Sequence, residues 1–284
     1  MGITKSKVIQ PFLKWAGGKR QLLPEIRKYV PKRMGTYYEP FLGGAAVLFD
    51  LQPKKAVIND INSELINAYL VIKNNVDDLI EDLKKHENKS DYYYKIRDLD
   101  RDKNQFSKLS DVEKASRLIY LNKTCFNGLF RVNSQGQFNV PFGRYKNPNI
   151  VNEFVLRAVS HYLNNNEVEI LNGDFADAVS CAKKGDFVYL DSPYDPVSET
   201  ASFTGYTLGG FSKDEQIRLR DLFVDLDKRG CKVLLSNSAT EFIKDLYKDY
   251  RIEIVSATRN INSIATKRGK IDEVLVMNYE QNSK

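Results

Sequence analysis

One stretch of the chain constrains its fold more than any other. Residues 186–191 read Asp-Phe-Val-Tyr-Leu-Asp, so four nonpolar or aromatic residues stand in a row before an acid. Such a strand must be covered on both faces, as in a parallel sheet between two layers of helices. Helical patterns separate most of the further predicted strands, which lie at 36–41, 54–60, 167–171, 231–236, 250–257 and 270–279. We predict an α/β fold with a mixed, mostly parallel sheet whose last two strands, which have no helix between them, form an antiparallel edge hairpin.

The strand–helix alternation is interrupted between residues 76 and 164. Charged segments at 76–103 and 110–125 predict helices, and Ser134-Gln135-Gly136 in the turn-rich stretch that follows predicts a hairpin turn. We therefore predict a main domain and a mainly helical domain inserted into it, formed by residues 1–75 with 165–284 and by residues 76–164, respectively.

Composition excludes several classes of protein. The chain is 28% charged and 42% hydrophobic, with a net charge of +6, which is typical of a globular protein and not of a disordered one. No apolar run approaches the ~18 residues of a membrane helix, and the first residues lack the apolar stretch of a secretory signal. The three cysteines and two histidines are too few and too far apart for a metal site. We expect a cytoplasmic protein with no metal and no membrane contact.

Two basic windows suggest a nucleic-acid partner. From Lys114 to Asn152 the chain has no Asp or Glu but several cations interleaved with aromatic residues, and a second acid-free window runs from Ile254 to Ile271. Clustered cations attract phosphates, and aromatic rings stack on bases. A solvated basic face above core aromatics would give the same composition, so the windows alone leave both interpretations open.

A glycine turn follows the first predicted strand. Glu39-Pro40-Phe41-Leu42-Gly43-Gly44 leads into a helix, and Asp60 ends the next strand. This order is typical of a nucleoside-cofactor site, where glycines let the backbone approach the ligand and the acid accepts the ribose hydroxyls. A tight turn followed by a helix cap would give the same pattern. The glycine spacing of a dinucleotide site or a P-loop is missing, which disfavours a nucleotide-dependent oxidoreductase.

The tetrapeptide Asp191-Ser192-Pro193-Tyr194 follows the apolar strand. The Asp191 carboxylate and the Ser192 carbonyl can each accept a hydrogen bond from an exocyclic amino group, while the Tyr194 ring stacks on the base that carries it. Both bonds would make the nitrogen more electron-rich and orient it toward a methyl donor. An ordinary turn after a strand would give the same four residues.

Several separated motifs together resemble one family. In chain order they are FLKWAGGKR (12–20), EPFLGGA (39–45), Asp60 and DSPY (191–194), and the insertion adds NGLFRVN (127–133) and FNVPFGRYK (138–146). They resemble the DNA adenine methyltransferase (Dam) family, most of all the methylases of GATC restriction–modification systems, over nearly the whole chain. The resemblance implies a Rossmann-like, S-adenosylmethionine-dependent methyltransferase fold whose insertion recognises the DNA target.

The resemblance also implies a role for each matching residue. The target base would be held by Asp191, Ser192, Pro193 and Tyr194. S-adenosylmethionine would be held by a set that includes Asp60 on the ribose and Asp174 at the adenine: Trp15, Gly17, Lys19, Glu39, Pro40, Phe41, Gly43, Gly44, Asp60, Asp174, Phe175 and Asp191. Duplex DNA would be contacted by Lys14, Phe126, Asn127, Leu129, Arg131, Asn133, Pro141, Arg144, Lys146, Lys267 and Arg268.

Some of these DNA contacts have a physical rationale. Arg131 resembles the arginine that reads guanine, which it can do with two hydrogen bonds to O6 and N7. Leu129 suits a thymine methyl group, Pro141 matches a further base contact, and Phe126 or Asn127 could fill the space that a flipped base leaves. The resemblance thus predicts a monomeric or weakly dimeric enzyme that methylates adenine N6 in double-stranded GATC by base flipping, as the modification enzyme of a restriction–modification system.

One position departs from the family pattern. The family usually has proline where this chain has Ser192. Because the hydrogen-bonding atom there is a backbone carbonyl, and because Pro193 still favours an extended backbone at Ser192, we expect the site to be active. The alternatives are a non-catalytic DNA-binding module, an N4-cytosine or RNA methylase, and a paralogue that acts on single strands.

Overall fold

Seven strands of the described chain form one sheet. The structure is a computed structural model that describes residues 8–15, 17–197, 211–258 and 270–280. The strands are β1 (Tyr37–Glu39), β2 (Lys55–Asp60), β3 (Glu167–Asn172), β4 (Phe187–Leu190), β5 (Lys232–Ser238), β6 (Arg251–Thr258) and β7 (Lys270–Met277). Their order is β3-β2-β1-β4-β5-β7-β6, with β1 to β5 parallel and β7 antiparallel to β5 and β6. The predicted mixed, mostly parallel α/β sheet is confirmed, including its antiparallel final pair.

The apolar strand lies near the centre of the sheet. All four residues of β4 are fully buried between β1 and β5, as their composition predicts. Strand β1 is shorter than the predicted 36–41 and ends at Glu39. Pro40 has no N–H to continue the ladder, and its carbonyl instead accepts a hydrogen bond from Asn59 Nδ2 at 3.0 Å.

Eleven α-helices of the described chain surround the sheet. None of them is both long and apolar enough to cross a membrane. Short 3₁₀ turns occur at Lys19–Gln21, Asp98–Arg101 and Phe126–Gly128. The α-helices are α1 (Leu23–Tyr29), α2 (Ala46–Leu51), α3 (Ser63–Asn74), α4 (Val76–Leu83), α5 (Ser90–Arg97), α6 (Lys103–Lys108), α7 (Asp111–Thr124), α8 (Glu153–Asn165), α9 (Phe175–Ala178), α10 (Lys213–Lys228) and α11 (Glu241–Leu246).

Two local details differ from the sequence predictions. The helical segment 76–103 is divided between α4 and α5, because the connection between them is held by long-range contacts such as the bond from Asn88 Nδ2 to the Tyr145 carbonyl at 2.8 Å. The order of Ser212 and Glu215 in the sequence also predicts a capping box at the start of α10, and only half of it forms. Ser212 Oγ accepts from the Glu215 N–H, but the Glu215 carboxylate bonds Arg218 rather than turning back to the cap.

The inserted helices share a core with the sheet. Leu79 of α4, Leu118 of α7 and Leu163 of α8 belong to the same buried cluster as Ile58 of β2 and Phe187 of β4. A second cluster contains the buried faces of α10 and α11 on strands β4, β5 and β7. The division into a main and an inserted domain stays a prediction.

A buried arginine joins the inserted helices to the rest of the chain. Arg117 of α7 is 1% exposed and pairs with Asp100 at 2.7 Å and with Glu64 of α3 at 3.4 Å. Its guanidinium also donates to the carbonyls of Ile96 and Arg97. A buried charge with this many partners is stable only while all of them are present.

We expect Arg117→Met to lower the free energy of unfolding by about 3–5 kcal/mol, because it removes the buried partner of the Asp100 carboxylate and leaves the carbonyls of Ile96 and Arg97 without their donor. The matched control is Arg157→Met, which removes an exposed arginine paired with Asp77 and Glu153 and should lower the free energy of unfolding far less, because water screens a surface pair. Urea unfolding followed by circular dichroism measures both. If the two variants lose the same free energy of unfolding, the structural role given to Arg117 is wrong.

Candidate active site

The candidate residues lie at the carboxyl ends of the central parallel strands. Chain order runs outward from β1 to β2 and β3 on one side, and from β4 to β5 on the other. Ligands of open α/β sheets bind where the strand order reverses in this way. Glu39 at the end of β1 and Asp191 just after β4 lie on the two sides of that point.

The glycine turn is tied to the end of β2. The Gly43 N–H donates to Asp60 Oδ2 at 2.9 Å, and the Asn62 N–H donates to Asp60 Oδ1 at 2.9 Å. Burial raises the pKa of Asp60, and these N–H groups oppose that effect. A carboxylate can accept about four hydrogen bonds, so Asp60 can still accept from a ligand hydroxyl.

Trp15 packs on the glycine turn. Gly43 has a φ of +49°, and a Cβ added to it would lie 2.8 Å from Trp15 Cδ1. On its other side the Trp15 ring stacks on Phe130, with ring centroids 5.1 Å apart. The turn therefore requires glycine both for its backbone conformation and for the close approach of the indole.

Asp191 lies at the centre of a buried polar network. Lys19 Nζ is 2.7 Å from Asp191 Oδ1, and Ser236 Oγ of β5 donates to the same oxygen at 2.9 Å. Among the described residues Oδ2 has no hydrogen-bond partner. Burial raises the pKa of Asp191, and the Lys19 charge counteracts the rise.

Lys19 also contacts Tyr194 and Gly17, which belongs with Lys19 to the N-terminal motif, residues 12–20. Its ammonium donates to the Gly17 carbonyl at 2.6 Å and lies 4.6 Å from the centroid of the Tyr194 ring. The Tyr194 hydroxyl donates to Glu273 Oε2 of β7 at 2.7 Å. Ser236 and Glu273 were missed by sequence reasoning, although each is a polar residue in a strand whose neighbours are mostly apolar.

The loop after β4 is held from the other side of the sheet. Gln216 Nε2 of α10 donates to the Pro193 carbonyl at 2.9 Å, and Asn237 Nδ2 donates to Gln216 Oε1 at 3.1 Å. Ser192 is 2% exposed, and its hydroxyl is buried with no hydrogen-bond partner in the described part of the chain. Neither Gln216 nor Asn237 was among the predicted site residues.

The structure brings together Phe41, Asp174 and Phe175, three of the residues predicted to hold the cofactor. Asp174 caps α9 through the Ala176 N–H at 2.8 Å and pairs with Arg218 of α10, which lowers the pKa of Asp174. The Phe175 ring stacks on Phe41 with centroids 5.1 Å apart, and the Arg218 guanidinium lies 4.4 Å from the Phe175 centroid. The Phe175 ring is thus in contact with both Phe41 and Arg218. Arg218 was not among the residues predicted from the sequence.

Residues 126–143, the hairpin segment, close at their base. The Phe126 N–H donates to the Pro141 carbonyl and the Gly143 N–H to the Thr124 carbonyl, each at 2.8 Å. An isolated bridge pairs Val132 with Phe138 around the predicted turn at Ser134–Gly136.

The hairpin segment is attached to the N-terminal motif through Asn122. The Asn122 side chain accepts from the Lys14 N–H at 2.8 Å and donates to the Lys14 carbonyl at 2.7 Å and to the Gly128 carbonyl at 3.0 Å. Gly128 has a φ of +64°, and a Cβ there would lie 2.5 Å from Lys14 Cδ. The two motifs, far apart in sequence, are therefore in direct contact.

The predicted DNA-contacting residues fall into three groups. Arg131, Leu129 and Asn133 are partly buried, and the Asn133 side chain accepts from the Gln135 and Gln137 N–H groups in the turn. Lys267 and Arg268 lie outside the described residues. The exposed group contains Lys14, Phe126, Asn127, Pro141, Arg144 and Lys146.

A cluster of cations lies beside this segment. Burial, together with the charges of Lys14 and Arg20, lowers the pKa of Lys123 to about 8. The three side chains add positive charge where α7 and the N-terminal motif meet. In the described residues no group of three or more His, Cys, Asp or Glu is arranged to hold a metal ion.

Comparison with known proteins identifies the family. Residues 15–261 match the family of D12 class N6 adenine-specific DNA methyltransferases. The chain belongs to this family. The predicted resemblance to DNA adenine methyltransferases is confirmed, and the enzyme methylates N6 of adenine in DNA.

Similar proteins cover almost the whole chain. A type II methyltransferase of Lactococcus lactis subsp. cremoris is 51% identical over 280 residues, which are 98% of each chain. A type II methyltransferase of Methanocaldococcus jannaschii is 46% identical over 95% of this chain and 99% of its own. The DNA adenine methylase of Escherichia coli K12 is 34% identical over 94% of each. Methyltransferases of this kind use S-adenosylmethionine in general.

Glu39 gives the stability of the protein a specific pH dependence. Its carboxyl group is 2% exposed and accepts hydrogen bonds from the Tyr37 hydroxyl at 2.8 Å and the Leu48 N–H at 3.1 Å. Burial raises its pKa from 4.5 to about 8. A raised pKa stabilises the fold below pH 4.5, and this contribution is lost as the pH rises through 8.

We therefore expect the free energy of unfolding of the wild type to fall between pH 5 and pH 8 relative to that of Glu39→Gln. Urea unfolding of both proteins at several pH values in this range measures the difference. Glu81→Gln, which removes an exposed carboxylate paired with Lys84, serves as the control and should follow the wild type. If the free energy of unfolding changes with pH in the same way in the wild type and in Glu39→Gln, Glu39 is not held protonated.

Proposed function

We propose that the enzyme transfers the methyl group of S-adenosylmethionine to N6 of the adenine in double-stranded GATC, and that it flips this adenine out of the duplex. The observation that carries the proposal is the position of Asp191 at the reversal point of the sheet, with Oδ1 held by Lys19 and Ser236 and Oδ2 without a described partner. An acceptor fixed in this way can orient an amino group for attack.

The residues around the glycine turn fit the cofactor. Asp60, which already accepts from the Gly43 N–H, would accept the ribose hydroxyls, and the Gly43–Gly44 backbone would lie beneath the ligand. Ile61, an apolar side chain 58% exposed directly after Asp60, offers a surface for the adenine ring. When bound, S-adenosylmethionine supplies an electrophilic methyl group on a sulfonium. Lys19, Trp15 and Asp174 complete the set that would border it.

The chain's own groups prepare the nucleophile. Asp191 Oδ2 and the Ser192 carbonyl would accept the two N–H groups of the target amino nitrogen, and the Tyr194 ring would stack on the base. Methyl transfer would form the N6–C bond as the methyl–sulfur bond breaks, the sulfur would keep the electron pair of that bond, and N6 would then pass its surplus proton to water. Two acceptors stabilise the positive charge that develops on N6 during this step.

The hairpin segment would read and open the duplex. A stacked adenine cannot present N6 to the methyl group, so the base must leave the helix. Phe126, an aromatic ring 51% exposed at the base of the segment, suits the space that the base leaves. Lys14, Arg20 and Lys123 supply positive charge for the phosphates. Arg131 would read guanine and Leu129 a thymine methyl group.

The biological setting is part of the proposal. The names of the Lactococcus and Methanocaldococcus relatives, both type II methyltransferases, support a role as the modification enzyme of a restriction–modification system. A cytoplasmic location and a monomeric or weakly dimeric state stay predictions.

The decisive experiment measures transfer of labelled methyl from S-adenosylmethionine to two duplexes, one with a single GATC and one with the same bases permuted. We expect N6-methyladenine, identified by nucleoside mass spectrometry, only in the GATC duplex. Asp191→Asn should abolish transfer and keep DNA binding, whereas Asp177→Asn, at an exposed position on α9, should change neither. Equal transfer to both duplexes, or an active Asp191→Asn enzyme, would overturn the corresponding part of the proposal.

Lys19→Met should move the acid limb of the pH profile of the methyl-transfer rate to higher pH, because the Asp191 carboxyl loses the cation that opposes the rise of its pKa on burial. Single-turnover rates between pH 5.5 and pH 9, with cofactor and DNA saturating, measure the limb. Lys28→Met, which removes an exposed lysine paired with Glu25, is the control. An unchanged limb in Lys19→Met would mean that Lys19 does not set the ionisation of Asp191.

A further inference from the structure

Arg131 is held in place by a single neighbouring residue. Its Nε donates to Asn139 Oδ1 at 2.7 Å, and its Nη2 donates to the Asn139 carbonyl at 3.1 Å. The Asn139 N–H returns a bond to the Arg131 carbonyl at 3.0 Å. One side edge of the guanidinium is thus occupied by two atoms of the same residue.

This arrangement determines which edge of the guanidinium is left for a ligand. A guanidinium has five N–H donors in a rigid plane. With the Nε–Nη2 edge filled, one N–H group each of Nη1 and Nη2 remains at the end of the side chain, and neither has a hydrogen-bond partner among the described residues. That end presents two parallel donors, which is the geometry required for O6 and N7 of guanine.

Asn139 itself is fixed from both sides along the chain. The Phe138 N–H donates to Asp100 Oδ2 at 2.8 Å, and the Phe138 carbonyl accepts from Arg101 Nη2 at 2.6 Å. On the other side of Asn139, the Val140 carbonyl accepts from the Tyr93 hydroxyl at 2.8 Å. Asp100 is buried and paired with Arg117, so the anchor is itself held rigidly.

We propose that Asn139 is a specificity-determining positioning residue, which orients Arg131 so that its terminal N–H pair meets a guanine edge. The proposal rests on the proposed reading of guanine by Arg131. A side chain ordered before binding loses less conformational freedom in the complex. This saving in conformational free energy strengthens binding only where a guanine accepts both hydrogen bonds. Asn139 therefore affects discrimination between DNA sequences more than the rate of methyl transfer.

The test compares kcat/KM on GATC with kcat/KM on a duplex in which this guanine is replaced by 7-deazaguanine, which lacks the N7 acceptor. The variants are Asn139→Ala, Asn139→Asp, Arg131→Ala and the double variant Asn139→Ala with Arg131→Ala. The measured ratio is kcat/KM on GATC divided by kcat/KM on the 7-deazaguanine duplex. We expect Asn139→Ala to lower this ratio by about tenfold, within the range for loss of a guanine contact. Asn139→Asp, which keeps an acceptor for Nε, should restore most of the ratio.

The double variant distinguishes positioning from an independent contact. If Asn139 acts through Arg131, the ratio for the double variant should equal that for Arg131→Ala alone. Cofactor binding and thermal unfolding of Asn139→Ala should match those of Asn165→Ala, an exposed asparagine on α8. An unchanged ratio in Asn139→Ala, or additive losses in the double variant, would overturn the inference.

Failure of the underlying function gives a different result. If Arg131→Ala leaves the ratio unchanged, Arg131 does not read this guanine, and both the inference and that part of the proposed function fall. If Arg131→Ala lowers the ratio but Asn139→Ala does not, guanine reading stands and only the positioning role of Asn139 is lost.

Discussion

The ion pair between Lys19 and Asp191 holds the centre of the molecule together. Both side chains are largely withdrawn from water, at 6% and 17% exposure, and their atoms are 2.7 Å apart. A buried pair is tolerated only if the remaining donors and acceptors are also satisfied. Here the Gly17 carbonyl, the Tyr194 ring and the Ser236 hydroxyl serve that purpose. The N-terminal motif, the loop after β4 and strand β5 therefore take up their mutual positions around one pair of charges.

The hairpin segment takes its position from the same N-terminal motif. The backbone of Lys14 is hydrogen-bonded to the Asn122 side chain. Lys14 lies five residues before Lys19, whose ammonium pairs with Asp191. Trp15 lies between the glycine turn and Phe130 of the hairpin segment. Residues 12–20 are thus in contact with the parts of the chain proposed to bind cofactor, target base and DNA. A displacement of this short motif would therefore affect all three.

Sequence reasoning succeeded where a feature is local and failed where it depends on distant residues. The strand pattern, the glycine turn and the acids at strand ends are local, and the structure has the strands and turn where the pattern predicts them. The partners of the site are not local. Ser236 is 45 residues from Asp191, and Glu273 is 79 residues from Tyr194. Sequence spacing could not pair Arg218 with Asp174 or Asn139 with Arg131, because the fold decides which polar side chains meet. The split of the predicted helix at 76–103 has the same origin, since contacts such as that of Asn88 with Tyr145 hold its break.

The base of the hairpin segment has a consequence for how such enzymes diversify. Cys125 and Phe142 form an antiparallel bridge, and backbone bonds on either side of it close the segment. The part that carries Arg131 and its supporting asparagine lies beyond this closure. Its ends are therefore held at a fixed separation whatever sequence lies between them. A tip transplanted from a relative between these two positions would meet the same frame, which would make the segment, in its proposed role of reading DNA, a natural unit of exchange when a methyltransferase acquires a new recognition sequence.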